Sequence, residues 1–146
     1  MRIIYSLAAI LLGLSASTQA GELPACDNIS LNAVESLKSY SNGSIKVFKI
    51  DNEEPAGGNI GIAIAINRGE SLDKEESFCR YVPYLSDANF KKIKSSYDDA
   101  HKVLTLSIPV IESDPETGKK SNFKMILKID KRATDEKKLV TFEIEK

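Results

Sequence analysis

Gly58-Asn59-Ile60-Gly61-Ile62-Ala63-Ile64-Ala65-Ile66-Asn67 is the stretch on which the reading of the fold turns. Isoleucine recurs at every second position, with glycine or alanine between. A period of two places all four isoleucines, 60, 62, 64 and 66, on one face of a β-strand. That face requires a core. The opposite face, Gly61, Ala63 and Ala65, lets another layer approach closely. The pattern predicts a strand central in its sheet, with something lying across its small-residue side.

The neighbours on both sides also read as strands. Ile45 to Ile50 is rich in β-formers, and a polar connection from Asp51 to Gly58 follows it. Downstream, a charged loop from Arg68 to Glu76 leads into Phe78 to Leu85, where Pro83 marks an edge or a bulge. The segment Lys91 to Tyr97 is read as a strand in preference to a helix capped by Asp87. The tight turn at Asp98-Asp99-Ala100-His101 would feed it directly into Val103 to Ile111. That run places Leu104, Leu106, Ile108 and Val110 on one face. Pro109 within it cannot donate to a ladder, so its position predicts an edge or a bulge. Ser113 to Gly118 is a strong turn signal. Two further alternating strands follow, one with Phe123, Met125, Leu127 and Ile129 inward and one with Val140, Phe142 and Ile144 inward.

Upstream, Asp27, Asn28 and Ser30 are candidate caps for one short amphipathic helix over about residues 30 to 40. Leu31, Val34 and Leu37 would form its apolar face, and Ser41-Asn42-Gly43-Ser44 would stop it. This helix is the expected cover for the small-residue face. The fold class is therefore α+β: a mostly antiparallel sheet of about seven strands, a meander or barrel-like, with one short N-terminal helix. A β-sandwich is the alternative. Parallel α/β is not expected, because no helical crossovers alternate with the strands.

The N-terminus reads as an export signal. Met1-Arg2 supplies a positive charge, Ile3 to Leu14 an apolar run and Thr18-Gln19-Ala20 a small-residue cleavage site. The run is too short to span a bilayer comfortably, which takes about 20 residues. Residues 1–20 are thus expected to be a secretory signal peptide and 21–146 a single small domain. Leu23-Pro24-Ala25-Cys26 superficially resembles a bacterial lipobox, which would make Cys26 a lipidated first residue. The internal proline and the distance from the apolar run oppose that alternative. The expected location is periplasmic or secreted. The sequons Asn28-Ile29-Ser30 and Asn42-Gly43-Ser44 carry meaning only under eukaryotic secretion.

Two cysteines, Cys26 and Cys79, are expected to form one disulfide in an oxidising compartment. They lack the Cys-x-x-Cys spacing of a redox site and the companions of a zinc site. With 20 basic and 21 acidic residues interspersed along the chain, there is no basic block to bind nucleic acid. Stable membrane insertion after leader removal is likewise not expected.

No motif carries chemistry. His101 is the only histidine and sits in a polar turn. No Gly-x-Ser-x-Gly elbow is present, and the acidic pairs Glu53-Glu54, Glu75-Glu76 and Asp98-Asp99 fall in predicted loops. No catalytic residue, metal or cofactor is expected. The most suggestive cluster is Phe78 to Tyr84, because arginine and tyrosine are enriched at binding hot spots. Arg80, Tyr81 and Tyr84 are the candidate partner-binding residues, set against a plain role in covering the rim of the core. The expected class is a non-enzymatic protein that binds another exported protein, a hydrolase or a toxin, as an inhibitor or immunity protein does, by occlusion. The loop Arg68 to Glu76 and the hairpin tip Glu112 to Lys120 are further candidate contacts. The alternatives are a carrier of a small apolar ligand in a barrel cavity and a structural subunit of an envelope assembly.

Overall fold

The structure, a computed structural model, describes residues 23–27, 29, 33–53, 58–69 and 77–146. The expected signal peptide, residues 1–20, lies outside the described residues. Four strands form the first sheet: β1 (Val34–Tyr40), β2 (Ile45–Asp51), β3 (Ile60–Asn67) and β4 (Ser77–Leu85). They run antiparallel in the order β1-β2-β3-β4. The second sheet contains β5 (Asp87–Ala88), β6 (Lys94–Asp98), β7 (Val103–Ser113), β8 (Lys120–Asp130) and β9 (Val140–Glu145). Here β7, β8 and β9 form a meander, while β5 and β6 share the other edge of β7. Only Ser86 separates β4 from β5, so the chain passes from one sheet to the other in a single residue.

The antiparallel meanders agree with the sequence pattern. The barrel-like closure does not, because the strands divide into two sheets with one shared core, as in the sandwich alternative. Ile62 and Ile64 on β3 and Leu106, Ile108, Met125 and Leu127 on β7 and β8 are wholly buried. β3 is an interior strand and all four of its isoleucines belong to that core.

The expected helix over residues 30 to 40 is corrected: residues 34–40 are β1, an edge strand. Val34 and Leu37, expected on the helical face, pair instead with Ile50 and Phe48 of β2, and Tyr40 at the end of the segment pairs with Ile45. A helix this short is marginal in water, and cross-strand pairing with β2 outweighs it. The signal taken as a helix stop is a hairpin turn. Ser41, Asn42 and Gly43 have φ of 50°, 55° and 84°, and the Ser44 N–H donates to the Ser41 carbonyl at 3.1 Å. Asn and Gly tolerate left-handed backbone in either setting, so turn chemistry does not reveal what precedes it. There are thus nine strands among the described residues. The two beyond expectation are β1 and the two-residue β5.

No described helix lies over the small-residue face of β3, which is covered from within the sheet. Tyr81 on β4 pairs with Ala63, and its ring leans diagonally over Gly61. A Cβ on Gly61 would overlap the Tyr81 phenol, so only glycine fits beneath that ring. The Tyr81 hydroxyl accepts from Asn52 Nδ2 at 2.7 Å, which holds the ring down. Ile50, paired with Gly61, shares this outer face and is 1% exposed although it lies outside the main core. Ring, glycine and isoleucine form a second, thin apolar layer.

The two prolines within described strands sit where the ladder is interrupted. Pro83 lies in a β4 bulge. Pro109 occupies the gap between β5 and β6, where the chain turns through a short 3-10 segment at Phe90–Lys92. The Pro109 carbonyl still accepts from Asn89 N–H at 2.8 Å, so only the missing donor is left out of the pairing.

Cys26 and Cys79 lie at disulfide distance, with Cα atoms 5.3 Å apart. The N-terminal strap beside them extends the β4 edge: Ala25 bridges Arg80, and the Tyr81 N–H donates to the Pro24 carbonyl at 2.9 Å. Leu23 is buried in the core at the head of the strap. No described helix is long and apolar enough to cross a membrane.

Candidate functional site

The three candidate binding residues on β4 have three different situations. Arg80 and Tyr81 alternate to opposite faces of the sheet. The Arg80 side chain is 13% exposed and reaches Glu136 Oε2 at 3.3 Å. With Leu23, Pro24 and Ala25 the pair lines a small recess beside the strap. Tyr81 is half-buried over Gly61. Tyr84 alone stands free, 76% exposed.

The bulge explains Tyr84. Val82 pairs with Ile62 and Leu85 with Ile60, so three steps on β4 match two on β3. The extra residue lets Val82 and Leu85 both enter the core and turns Tyr84 outward. Tyr84 has φ of 64°, left-handed backbone that a bulky residue rarely adopts. Gly58 lies against it: a Cβ on Gly58 would come within 3.4 Å of Tyr84 Cα. An aromatic ring is thus held in solvent on backbone that the neighbouring strands fix in place.

Other loops gather at the same end. Ser86 N–H donates to the Ile111 carbonyl at 2.8 Å, and Ser86 Oγ and Ser113 Oγ are 2.7 Å apart. These bonds bring the β7–β8 hairpin tip alongside the bulge. The tip is self-braced. Asp114 Oδ1 accepts from the N–H groups of Glu116 and Thr117, and these bonds hold its carboxyl below the usual range. Gly118 closes the turn at φ of 68°. The β2–β3 connection ends here too, where Asp51 Oδ1 accepts from the Glu53 N–H and from Asn59 Nδ2, each at 2.9 Å. Of the other regions expected to contact a partner, the hairpin tip thus shares an end with Tyr84. Arg68 lies at the opposite end of β3, its guanidinium 4.8 Å from the centre of the Phe78 ring. Residues 70–76 of that loop lie outside the described residues.

A second cluster was not visible in the sequence. Lys49 Nζ on β2 lies 2.8 Å from Glu35 Oε2 on β1 and 2.8 Å from Asp87 Oδ1 on β5. Glu35 is the extra residue of a β1 bulge, which aims it at Lys49. Burial acts to lower the Lys49 pKa, but its hydrogen bonds to Asp87 and Glu35 outweigh it and the pKa is raised. The same hydrogen bond holds Asp87 below the usual carboxylate range. The three charges clamp one sheet to the other in an open groove that also includes Asn89 and Phe90. They are 14 and 38 positions from Lys49 in sequence, and no spacing rule joins them.

His101 lies in the exposed β6–β7 turn, its Nδ1 2.7 Å from Asp98 Oδ2. No group of three or more His, Cys, Asp or Glu residues that could hold a metal occurs among the described residues. The chain matches no family model, no curated protein and no solved structure.

Proposed function

We propose that this is an exported, periplasmic, non-enzymatic protein whose loop-bearing end docks on another exported protein, a hydrolase or toxin, and occludes it. The observation that carries the reading is Tyr84: an aromatic side chain 76% exposed on left-handed backbone. Strained backbone persists only when its surroundings hold it, and it concentrates at functional positions. Tyrosine is also among the residue types that dominate binding energy. The braced hairpin tip beside it supplies a second rigid contact, so little conformational freedom would be lost on docking. Export is supported by the leader pattern and by the cysteine pair at disulfide distance.

The test is affinity capture by the oxidised protein from envelope and secreted extracts, followed by an activity assay on what is retained. Tyr84→Asn removes the ring but keeps a residue that tolerates left-handed backbone. The expected result is one enzyme or toxin retained in salt, inhibited by the wild type, and released by Tyr84→Asn with the fold intact. Retention unchanged by Tyr84→Asn would remove this end from the interface. Repeated failure to retain any protein would refute the class.

A further inference from the structure

The second sheet ends in a strand that no described element covers. All five residues of β6, Lys94-Ser95-Ser96-Tyr97-Asp98, are exposed, and Tyr97 is 49% exposed. β6 pairs with β7 along one edge, and no described strand pairs with the other. We infer that the free edge of β6 pairs antiparallel with the same edge of a second copy of this chain, joining two second sheets across a two-fold axis at Ser96.

The charge pattern of β6 selects this pairing. Self-pairing about a two-fold axis keeps each residue on its own face, so a strand meets its own sequence reversed. Centred on Ser96, Lys94 lies opposite the partner's Asp98, and Asp98 lies opposite the partner's Lys94. Ser95 lies opposite the partner's Tyr97, and the two tyrosines become diagonal neighbours at about 7–8 Å, within reach of aromatic rings. Both ends of a five-residue strand thus gain an opposite-charge pair from one register. Lys94 has no partner within the described chain to compete for it. Asp98 braces its own turn through the N–H groups of Ala100 and His101 and through His101 Nδ1. Its half-exposed carboxylate keeps a lone pair on Oδ2 for an ammonium group.

The other edges do not offer this. The β4 edge carries the strap at Ala25. β9 contains no cation and would set its glutamates among one another. On β1, Glu35 is already held by Lys49.

Sedimentation equilibrium of the purified, oxidised protein tests the inference, from about 10 µM to about 1 mM, the range that a small interface requires. The wild type should show a monomer–dimer equilibrium that weakens with salt. Lys94→Asp should raise the dimer dissociation constant at least about tenfold, whereas Lys94→Arg should leave it within about threefold. Asp98→Lys should also be monomeric, and mixing it with Lys94→Asp should restore a heterodimer, since each then presents the complement of the other. Should Asp98→Lys disturb the turn it braces, the contrast between Asp and Arg at position 94 decides alone. A monomer throughout the range, a dimer indifferent to Lys94→Asp, or two folded variants that fail to pair when mixed would each overturn the inference.

Discussion

Replacing Gly61 with alanine should destabilise the protein, and the sign of that effect should reverse once Tyr81 is removed. The added Cβ overlaps the Tyr81 ring, whose far end must move to admit it. Moving the ring breaks the 2.7 Å bond from Asn52, a loss of about 0.5–1.5 kcal/mol. Overpacking adds about 1–3 kcal/mol of strain. Alanine recovers about 0.5–1 kcal/mol because glycine is the poorer strand residue. The balance is a loss of about 0.5–4 kcal/mol for Gly61→Ala. In a Tyr81→Ala background neither the clash nor the hydrogen bond exists, and only the alanine gain of about 0.5–1 kcal/mol remains. Urea unfolding of the four proteins in the cycle, read as midpoint at constant slope, measures both numbers. The reasoning is refuted if Gly61→Ala is neutral in the wild type, or if it costs the same in both backgrounds. Either outcome would mean that the ring does not rest on the glycine.

Other expectations follow from the same structure. Replacing Cys26 and Cys79 together by serine should cost about 2–4 kcal/mol, since the pair spans 53 residues and a loop of that size gives about 4 kcal/mol in the chain-entropy limit. Reductant should lower the melting temperature of the wild type but not of that variant. Ile64→Ala, at a wholly buried core position, should cost about 2–5 kcal/mol in the same urea assay. The clamp at Lys49 should show in the acid limb of stability. Asp87 is held below its usual range, so its stabilising share is present above the unfolded value of 3.8 and disappears as pH falls through the lower folded value. Lys49→Met should therefore flatten the fall in melting temperature as pH drops below the unfolded value of 3.8, relative to the wild type. An unchanged slope would argue that the ion pair does not tie the sheets.

The strands that bury one face were legible because their alternation is complete. Leu104, Leu106, Ile108 and Val110 are all core residues, as are Met125, Leu127 and Ile129. β1 was illegible for the opposite reason: an edge strand buries little, and Val34, Leu37 and Tyr40 fit a period of 3.6 as readily as they fit pairing with β2. The small-residue face of β3 correctly announced a close neighbour, but not whether it would be a helix or a ring from the next strand. Pro83 marked the bulge. Its consequence, that Tyr84 leaves the face of Val82 and Leu85 joins it, depends on which residue is the extra one, and strict alternation assigns both the other way. The Lys49 clamp needs three strands in register from two sheets, which a pattern along one chain does not encode.

The passage through Ser86 has a consequence for how the molecule comes into being. Residues 34–85 supply the whole first sheet and residues 87–145 the whole second, with no described strand pairing crossing between them. The cysteine pair at positions 26 and 79 also belongs to the earlier half. A chain threaded out N-terminus first can therefore complete its first sheet, and close its covalent tie, before the later strands emerge. The second sheet then needs only neighbour-to-neighbour hairpins, laid down against an isoleucine surface already in place. Sandwiches whose strands cross between layers must hold early segments open for late ones, with a correspondingly greater loop-closure cost. Here the strand order allows assembly to follow the order in which the chain emerges.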